Sequence, residues 1–577
     1  MKQTKTKHLL IAPLAIAIGS LLFYHFVYPY HLFFKEQIQL FLFTPDYLAS
    51  YFNKPASVSL LFGDFLTQFF FLRGGGPLVL ALVFAMEWML IRAVLKRTLS
   101  LQTAGWWALL PVVADITSHL ALSYPLGASV GLILLLSIFL LTERIKNKVL
   151  ASLIFLLLAV FAHPFFGSSA FVLPFLVLFN KRFYQHVLTA IISFLVITAI
   201  PYFLRPNYLL PLTTTYLFPL IYWKGLLLPA TFAGTLLIAK MLAPMRIFQS
   251  AIGALAVSIS MAIAITGFLV NANFNLEKIL ALDSETYFRY TDKVIELAEK
   301  YELKTRVATY YTNMALAQKN ELSERLLEFY QPSFYGLILP VSQKEYWQTI
   351  LFSNELFYLI GDMNLAQHSA MLGNTFSPYY RSSRMMKRLA EINMVNGDYE
   401  GAEKFLRMLD KTLFHKNWAE KHLKENHPGS KAKWLETKRQ QIAKNDTIRN
   451  GTDYLSALEF LVEQNPQNRI ALDYLLCYHL LNKDLTAFKT AYDRYAKMQF
   501  SVAPKVYGEA LLIILFKENA SEETLQEYKI QSQQISDFIK YTSRFEDFSD
   551  DLDAMKKNWG TSYWFYFHYA TMMEEEE

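Results

Sequence analysis

The sequence FQSAIGALAVSISMAIAITGFLVN, residues 248–271, divides this chain of 577 residues into two unlike parts. The stretch carries no charged side chain, and as an α-helix it is long enough to cross about 30 Å of hydrocarbon. The chain before it is mostly apolar, whereas the chain after it is charged and has no comparable apolar run. The pattern therefore predicts a transmembrane domain over residues 1–271 and a soluble domain over residues 272–577.

The distribution of charge supports the same division. Residues 1–271 contain 18 Lys and Arg against 6 Asp and Glu, and residues 272–577 contain 37 against 43. Positive charge beside apolar helices is typical of membrane proteins, and the mildly acidic second part argues against nucleic-acid binding. Cys477 is the single cysteine, so the sequence predicts neither an intramolecular disulfide nor a cysteine-based metal site.

Apolar periodicity indicates an all-α protein that begins with a polytopic bundle of about nine membrane spans. Three lysines lie among the first seven residues, and the first span contains Ala15-Ile16-Ala17, which has the form of a signal-peptide cleavage site. Because the apolar run continues past that point, we favour an uncleaved anchor. The predicted spans are 8–28, 77–95, 104–122, 124–141, 148–162, 164–179, 183–204, 225–242 and 248–271.

The loops between these spans predict the orientation of the chain. Loops on the same side as the N-terminus hold thirteen Lys and Arg, and the opposite loops hold five. The more positive side is expected to be cytoplasmic, so nine spans deliver residues 272–577 to the periplasm of a bacterial inner membrane. This count needs a hairpin at His163-Pro164, because a single span there would place two basic loops on opposite sides.

Ionisable residues within the predicted spans form a candidate intramembrane polar site: Glu87, Asp115, His119 and His163. A charge at bilayer depth costs roughly 2.5–3.5 kcal/mol, so each of these side chains should face a cavity or a partner. Asp115 and His119 are four residues apart, share one helix face and can pair with each other. A structural pair and a substrate site are both compatible with the pattern.

The first outer loop, residues 29–76, is long and apolar. Its segment VSLLFGDFLTQFFFL, residues 58–72, is expected to be an interfacial or re-entrant helix. The segment contains Asp64, and Asp46 precedes it in the loop. Under one hypothesis these two acids belong to a catalytic or substrate site together with the acids of the spans.

The second part of the chain repeats one turn at an interval of 36 residues, as IGDMNLA at 360–366 and NGDYEGA at 396–402. In each copy a glycine, Gly361 or Gly397, is expected to end one helix. A small residue, Ala366 or Ala402, would then let the next helix pack closely.

Less regular copies of this turn occur at residues 465–484 and 287–327. Together the copies predict an array of helix pairs similar to tetratricopeptide (TPR) repeats. The alternative is a helical domain without repeats, since such turns also arise singly. We interpret the lysine-rich stretch 416–444 as a solvated helix or insertion.

Four segments resemble an uncharacterised family of Gram-negative multi-pass membrane proteins. They are GDFLTQFF at 63–70, RMMKRLAEIN at 384–393, KTLFH at 411–415 and TSYWFY at 561–566. The resemblance extends over nearly the whole chain. It implies the two-part architecture and no particular activity.

The membrane part is also similar in plan to the C-type glycosyltransferases, which use polyprenyl-phosphate sugar donors. That similarity implies that Asp64 or Asp46 would be the loop acid that acts as a catalytic base or binds a divalent metal. The chain departs from the pattern because the loop has no paired Asp-x-Asp or Asp-Glu.

Two functions follow from these patterns. The first is an integral membrane protein, in contact with the lipid bilayer, that presents a helical-repeat domain outside the cytoplasm. That domain would bind a protein or an envelope component and would need no cofactor. The alternative is a glycosyltransferase of the C type, so the sequence leaves open whether the protein is an enzyme.

Overall fold

The computed structural model describes residues 2–99, 103–204, 226–242, 252–340, 348–377, 380–443, 453–548 and 551–571. Within these ranges the protein is helical and contains no β-strand, in agreement with the predicted all-α class. The chain forms two compact units. The first unit comprises Met1–Glu277 with Lys411–Phe414, and the second comprises Lys278–Asp410 with His415–Glu577.

The first unit is a bundle of apolar helices around a core of Leu, Val, Ile and aromatic side chains. Its helices are long where apolar residues run without interruption and short where Pro, Gly or polar residues break the run. The α-helices are Lys2–Phe26, Tyr30–Gln37, Pro45–Ser50, Ser57–Thr67, Gly75–Leu99, Ala104–Trp107, Leu109–Ser118, Leu126–Thr142, Lys148–Phe166, Val172–Leu178, His186–Leu204, Leu227–Leu242 and Ile252–Asn271.

The prediction of nine spans is too high for the described part of the chain. Four helical stretches there are long and apolar enough to cross a membrane, or five if a pair bent by 78° is one span. The bent pair is Ile11–Phe26 with Tyr30–Gln37, and the four stretches are Gly75–Leu99, Lys148–Leu178, His186–Leu204 and Ile252–Asn271. Several other predicted spans are apolar but too short, because a span needs about 20 helical residues. The predicted span 104–122, for example, is broken after Trp107.

The sequence predicted a turn at His163-Pro164, but the chain does not turn there. The helix continues through Pro164 to Phe166, and Gly167 follows with a φ of +62°. The chain then returns beside the start of the same helix, where the Tyr184 amide donates to Ser152 Oγ at 2.9 Å. The chain therefore reverses its direction between Phe166 and Tyr184, so the helical stretch Lys148–Leu178 does not continue straight away from Ser152.

The predicted outer-loop segment packs tightly inside the first unit. It forms the helix Ser57–Thr67 followed by a 3-10 turn, Gln68–Phe71. A β-carbon on Gly63 would lie 2.4 Å from the backbone nitrogen of Gly127, so the two helices touch backbone to backbone. This contact fixes the position of Asp64, the next residue along the chain.

A short segment from the second half of the sequence, Lys411–Phe414, belongs to the first unit. The Phe43 amide donates to the Lys411 carbonyl at 2.8 Å. The Phe414 ring lies 5.5 Å from that of Phe69 and 6.0 Å from that of Phe71.

The second unit consists of amphipathic helices joined by short turns. Most of these helices bury an apolar stripe, and side chains such as Tyr310, Leu356, Leu389 and Tyr474 are inaccessible or nearly so. The α-helices after Ile252–Asn271 are Phe274–Tyr287, Thr291–Tyr301, Arg306–Gln318, Leu322–Arg325, Gln348–Ile360, Met363–Phe376, Ser383–Asn396, Tyr399–Leu409, Lys416–Glu425, Lys433–Arg439, Tyr454–Gln464, Arg469–Leu481, Leu485–Ala491, Lys505–Lys517, Glu522–Glu527, Ser532–Phe548, Leu552–Trp559 and Tyr563–Tyr569.

Seven of its helix-ending turns share one geometry. The residue with positive φ is Arg289, Asn320, Gly361, Gly397, Lys483, Asn519 or Lys529. In each turn the next amide donates to the carbonyl five residues earlier, at 2.8 to 3.3 Å. This is the hydrogen bond of a Schellman cap, which ends a helix and turns the chain into the next one.

Candidate functional site

The predicted loop acids do not form a pair. Asp64 is buried, and the Tyr51 hydroxyl donates to its Oδ2 at 2.8 Å. The Tyr51 hydroxyl also lies 3.0 Å from that of Tyr47. Asp46 is exposed in the first turn of its helix, and no hydrogen bond or ion pair within the described chain connects it with Asp64. No group of three or more His, Cys, Asp or Glu suited to a metal ion occurs in the described residues.

The structure brings Asp115 and His119 together in a buried polar cluster. The Tyr124 hydroxyl donates to Asp115 Oδ1 at 2.8 Å, and the Ser129 hydroxyl donates to Oδ2 at 2.6 Å. His119 Nε2 lies 2.8 Å from Ser129 Oγ and 3.7 Å from Asp115 Oδ2. Because Ser129 uses its proton towards Asp115, His119 Nε2 carries the hydrogen and donates to Ser129. Lys35 Nζ donates to the Tyr124 carbonyl at 3.0 Å.

Glu87 and His163 are placed differently from each other. Glu87 is fully buried and interacts electrostatically with Asp115, so it belongs to the same cluster. His163 is buried beside Phe171, and its Nδ1 has no hydrogen-bond partner in the described chain. Within the described chain His163 makes no hydrogen bond or ion pair with Asp115, so the predicted four-residue site contains three neighbours and one separate residue.

The predicted repeat residues lie at helix turns and packing positions. Gly361 has φ +89° and Gly397 has φ +78°, while Ala366 and Ala402 are completely buried. A β-carbon on Gly361 would lie 2.5 Å from the Gln441 carbonyl oxygen, whereas one on Gly397 would meet nothing within 4 Å.

The second unit also contains a groove of about 710 Å³, which we call the basic groove. It is bounded by six helices, among which Ser383–Asn396 and Lys433–Arg439 contribute equally and most. Residues i, i+3, i+4 and i+7 of a helix share one face, which explains why Arg384, Lys387, Arg388 and Glu391 all reach the groove. Its other charged and aromatic lining residues are Tyr287, Arg289, Glu355, Tyr358, Lys421, Glu425, Lys433, Trp434 and Lys438.

The floor of the basic groove is fixed by a buried ion-pair network. Arg384 binds Asp283 through two hydrogen bonds of 2.8 Å, and its Nε and Nη2 also donate to Glu355 Oε1. The Tyr311 hydroxyl donates to Asp283 Oδ1 at 2.5 Å. Burial alone would raise the pKa of Glu355, but the charges of Arg388 and Arg384 lower it to about 2.

Arg388 continues this network to the groove surface. Its Nη2 donates to Glu355 Oε2 at 2.5 Å and its Nη1 to Glu391 Oε2 at 3.1 Å. The guanidinium lies 3.9 Å from the centre of the Tyr358 ring, a favourable cation–π geometry. Its Nε is buried and has no hydrogen-bond partner in the described chain.

Three lysines of the basic groove, Lys387, Lys433 and Lys438, form no ion pair with a carboxylate among the described residues. Lys387 Nζ lies over the rings of Tyr287 and Trp418, at 5.1 and 5.0 Å from their centres. Lys438 is buried, and its Nζ donates to the Leu359 carbonyl at 3.1 Å and to Gln441 Oε1 at 2.9 Å. Burial first, and then the charges of neighbouring arginines, lowers the pKa of Lys438 to about 7.

The groove therefore carries an excess of positive charge. Seven Lys and Arg line it against three Glu. The sequence analysis missed this site because its cations come from helices far apart in the chain. Three of them, Lys421, Lys433 and Lys438, come from the stretch interpreted as a solvated helix or insertion. The stripe of Arg384, Lys387 and Arg388 could have indicated a basic site, but such a stripe is more commonly a solvated helix face.

A model of one protein family, described as a family of unknown function, DUF6057, matches residues 4–570. The chain belongs to the DUF6057 family. The DUF6057 match covers both units, including the basic groove and the buried cluster around Asp115. No curated protein matches the chain. No solved structure matches it either.

Proposed function

We propose that this DUF6057 protein is an integral membrane protein of the bacterial inner membrane that presents a TPR-like domain in the periplasm. In this proposal the basic groove binds an acidic segment of a protein partner. The apolar helices of the first unit support membrane insertion, since four or five of their stretches are long enough to span a bilayer. The seven similar turns of the second unit support a repeat array.

The charge of the basic groove is the observation that carries the proposal. Three Glu face seven Lys and Arg, and Arg384, Arg388 and Glu355 already neutralise one another in part. Lys387 forms no ion pair with a described carboxylate, and Lys438 is partly charged at neutral pH because burial lowers its pKa to about 7. An acidic ligand would supply the missing negative charges, as complementary potentials do at protein interfaces.

The size and surface of the groove favour a short segment over a folded surface. A volume of about 710 Å³ lies within the range of roughly 300–1,000 Å³ that is usual for ligand sites. The aromatic rings of Tyr287, Tyr358 and Trp434 offer apolar contact area between the cations. Aromatic and arginine side chains are the groups that dominate binding energy at such sites.

The glycosyltransferase alternative receives less support from the described residues. Asp64 is buried and bound by Tyr51, and Asp46 is exposed and separate from it. A catalytic base or metal ligand has to reach the substrate, whereas the observed contact of Asp64 suits a role in packing.

The proposal is tested by fluorescence anisotropy of a labelled hexaglutamate peptide with the full-length protein in nanodiscs. Lys387→Gln removes one unpaired groove charge, and Lys517→Gln removes an exposed lysine outside the groove. We expect a several-fold loss of affinity for Lys387→Gln and none for Lys517→Gln. Binding should also weaken when salt rises from about 50 to about 300 mM, because ions screen exposed charges.

A hexaglutamine peptide controls for binding that does not depend on charge. Equal affinity of the two peptides, or equal loss in both variants, would refute an acidic partner. Thermal melting of each variant shows whether the fold is intact.

A further inference from the structure

Glu87 has an unusual environment within the helix Gly75–Leu99. The side chain is fully buried, and neither carboxylate oxygen accepts a hydrogen bond from any donor in the described chain. Burying an ionised carboxylate without hydrogen bonds or a cation costs several kcal/mol. Glu87 in its ionised form would therefore be strongly unfavourable at this position.

The charged group that acts on Glu87 is another carboxyl, Asp115. Two carboxylates in contact repel each other, whereas a protonated carboxyl can donate a hydrogen bond to an ionised one. The hydrogen-bond donors show which of the two is ionised. Asp115 accepts from Tyr124 and Ser129, while Glu87 accepts from no described donor.

The charges around the pair lead to the same assignment. Lys35 is the cation that acts on Asp115, and it can balance one negative charge. Burial first, and then the charge of Lys35, lowers the pKa of His119 well below its ordinary value, so it is neutral and balances none. The other titratable group facing Asp115 from a packed helix is Tyr24, whose hydroxyl donates to the Ile116 carbonyl.

We propose that Glu87 and Asp115 form a buried proton-binding site that holds one proton at neutral pH. Glu87 carries the proton and donates it in a hydrogen bond to the Asp115 carboxylate. Lys35 balances the single negative charge of the pair, and Tyr124 and Ser129 hold the Asp115 oxygens in place. The site does not depend on the basic groove, so either proposal can fail without the other.

The first test measures protonated carboxyl groups by infrared difference spectroscopy of the full-length protein. Glu87→Gln should remove one carboxylic-acid C=O band at pH 7. Glu143→Gln is the matched control, because Glu143 is also buried but accepts from Asn180 and pairs with Arg97. The band should survive in that control. Its survival in Glu87→Gln, or its absence from the unmodified protein, would overturn the proposal.

The second test uses stability, which does not require the spectrum. A glutamine amide can donate to Asp115 as a protonated glutamic acid does, so Glu87→Gln should melt within about two degrees of the unmodified protein. If Glu87 were ionised and paired with a cation, the same substitution would leave a buried charge unpaired and destabilise the fold. Failure of Glu87→Gln to fold would therefore also contradict the proposal.

Discussion

Arg384 and Asp283 form a bidentate ion pair in which two nitrogen–oxygen distances are both 2.8 Å, and both side chains are almost completely buried. Removing one partner of a buried pair leaves the other charge uncompensated, which costs about 3–5 kcal/mol. We therefore expect Asp283→Asn to lower the melting temperature of the second unit markedly. Arg407→Met, which breaks an exposed pair with Glu403, should cost less than about 1 kcal/mol. Similar melting of the two variants would show that the buried pair has no special importance.

The ion pairs of Glu355 in the same network predict that the folded protein loses stability at acid pH. Its pKa is lowered to about 2 by Arg388 and Arg384 in the folded protein, against an ordinary value of 4.5. The folded state thus binds this proton less readily than the unfolded state, and the associated stability is lost as the pH falls from about 4.5 towards 2. Unfolding curves at a series of pH values should show this loss. A Glu355→Gln variant should be less stable at neutral pH and lack this part of the pH dependence.

Gly361 and Gly397 are expected to differ in their tolerance of alanine. Both have positive φ, which costs a residue with a β-carbon roughly 1–2 kcal/mol. Gly361→Ala also places its β-carbon against the Gln441 carbonyl, so its melting temperature should fall further than that of Gly397→Ala. Gly429→Ala, where the new atom meets only ordinary contacts, should change little. Equal losses of melting temperature in the first two variants would mean that the backbone at Gln441 moves aside without a cost in stability.

The lowered pKa of Lys438 predicts that ligand binding depends on pH. Its pKa is lowered to about 7 by burial and by nearby arginines, so it is only partly charged at neutral pH. A bound carboxylate favours the charged form, so the affinity for hexaglutamate should rise by up to about tenfold from about pH 8 to about pH 6. Lys438→Met should flatten this dependence. If the affinity of Lys438→Met changed with pH as much as that of the unmodified protein, the pH dependence would come from another group.

A substitution of Asp64 distinguishes the binding role from the glycosyltransferase alternative. Asp64→Asn keeps an oxygen that can accept the hydrogen bond from Tyr51 but removes the charge that a base or metal ligand requires. We expect this variant to complement a deletion strain fully at normal abundance, whereas Lys387→Gln should complement poorly. Loss of complementation by well-expressed Asp64→Asn would instead support catalysis at this residue.

The orientation of the chain can be tested with reporters that are active only outside the cytoplasm. A fusion after Glu577 should be active, and a fusion after Lys148 should be inactive. A fusion after Arg182 should also be inactive, because at Tyr184 the chain has returned to the Ser152 end of its helix. Activity after Lys148 would refute the predicted orientation.

The sequence was most informative where one local pattern determines the structure. The run 252–271 forms one helix, and the Gly-Asp turns at Gly361 and Gly397 have the positive φ that their residues allow. It was least informative where structure depends on contacts between distant segments. Apolarity alone could not show that Ala104–Trp107 ends early or that Pro164 continues a helix. The basic groove joins residues as distant as Tyr287 and Lys438, and no local pattern reports that proximity.

The inclusion of Lys411–Phe414 in the first unit has an evolutionary consequence. A single crossover near residue 277 would exchange everything that follows it in the sequence. The four residues Lys411–Phe414 would then be exchanged together with the second unit, although they belong to the first. The first unit would then lose Phe414 from its contacts with Phe69 and Phe71. Recombination should therefore rarely separate the two units, and lineages should inherit them as one genetic block.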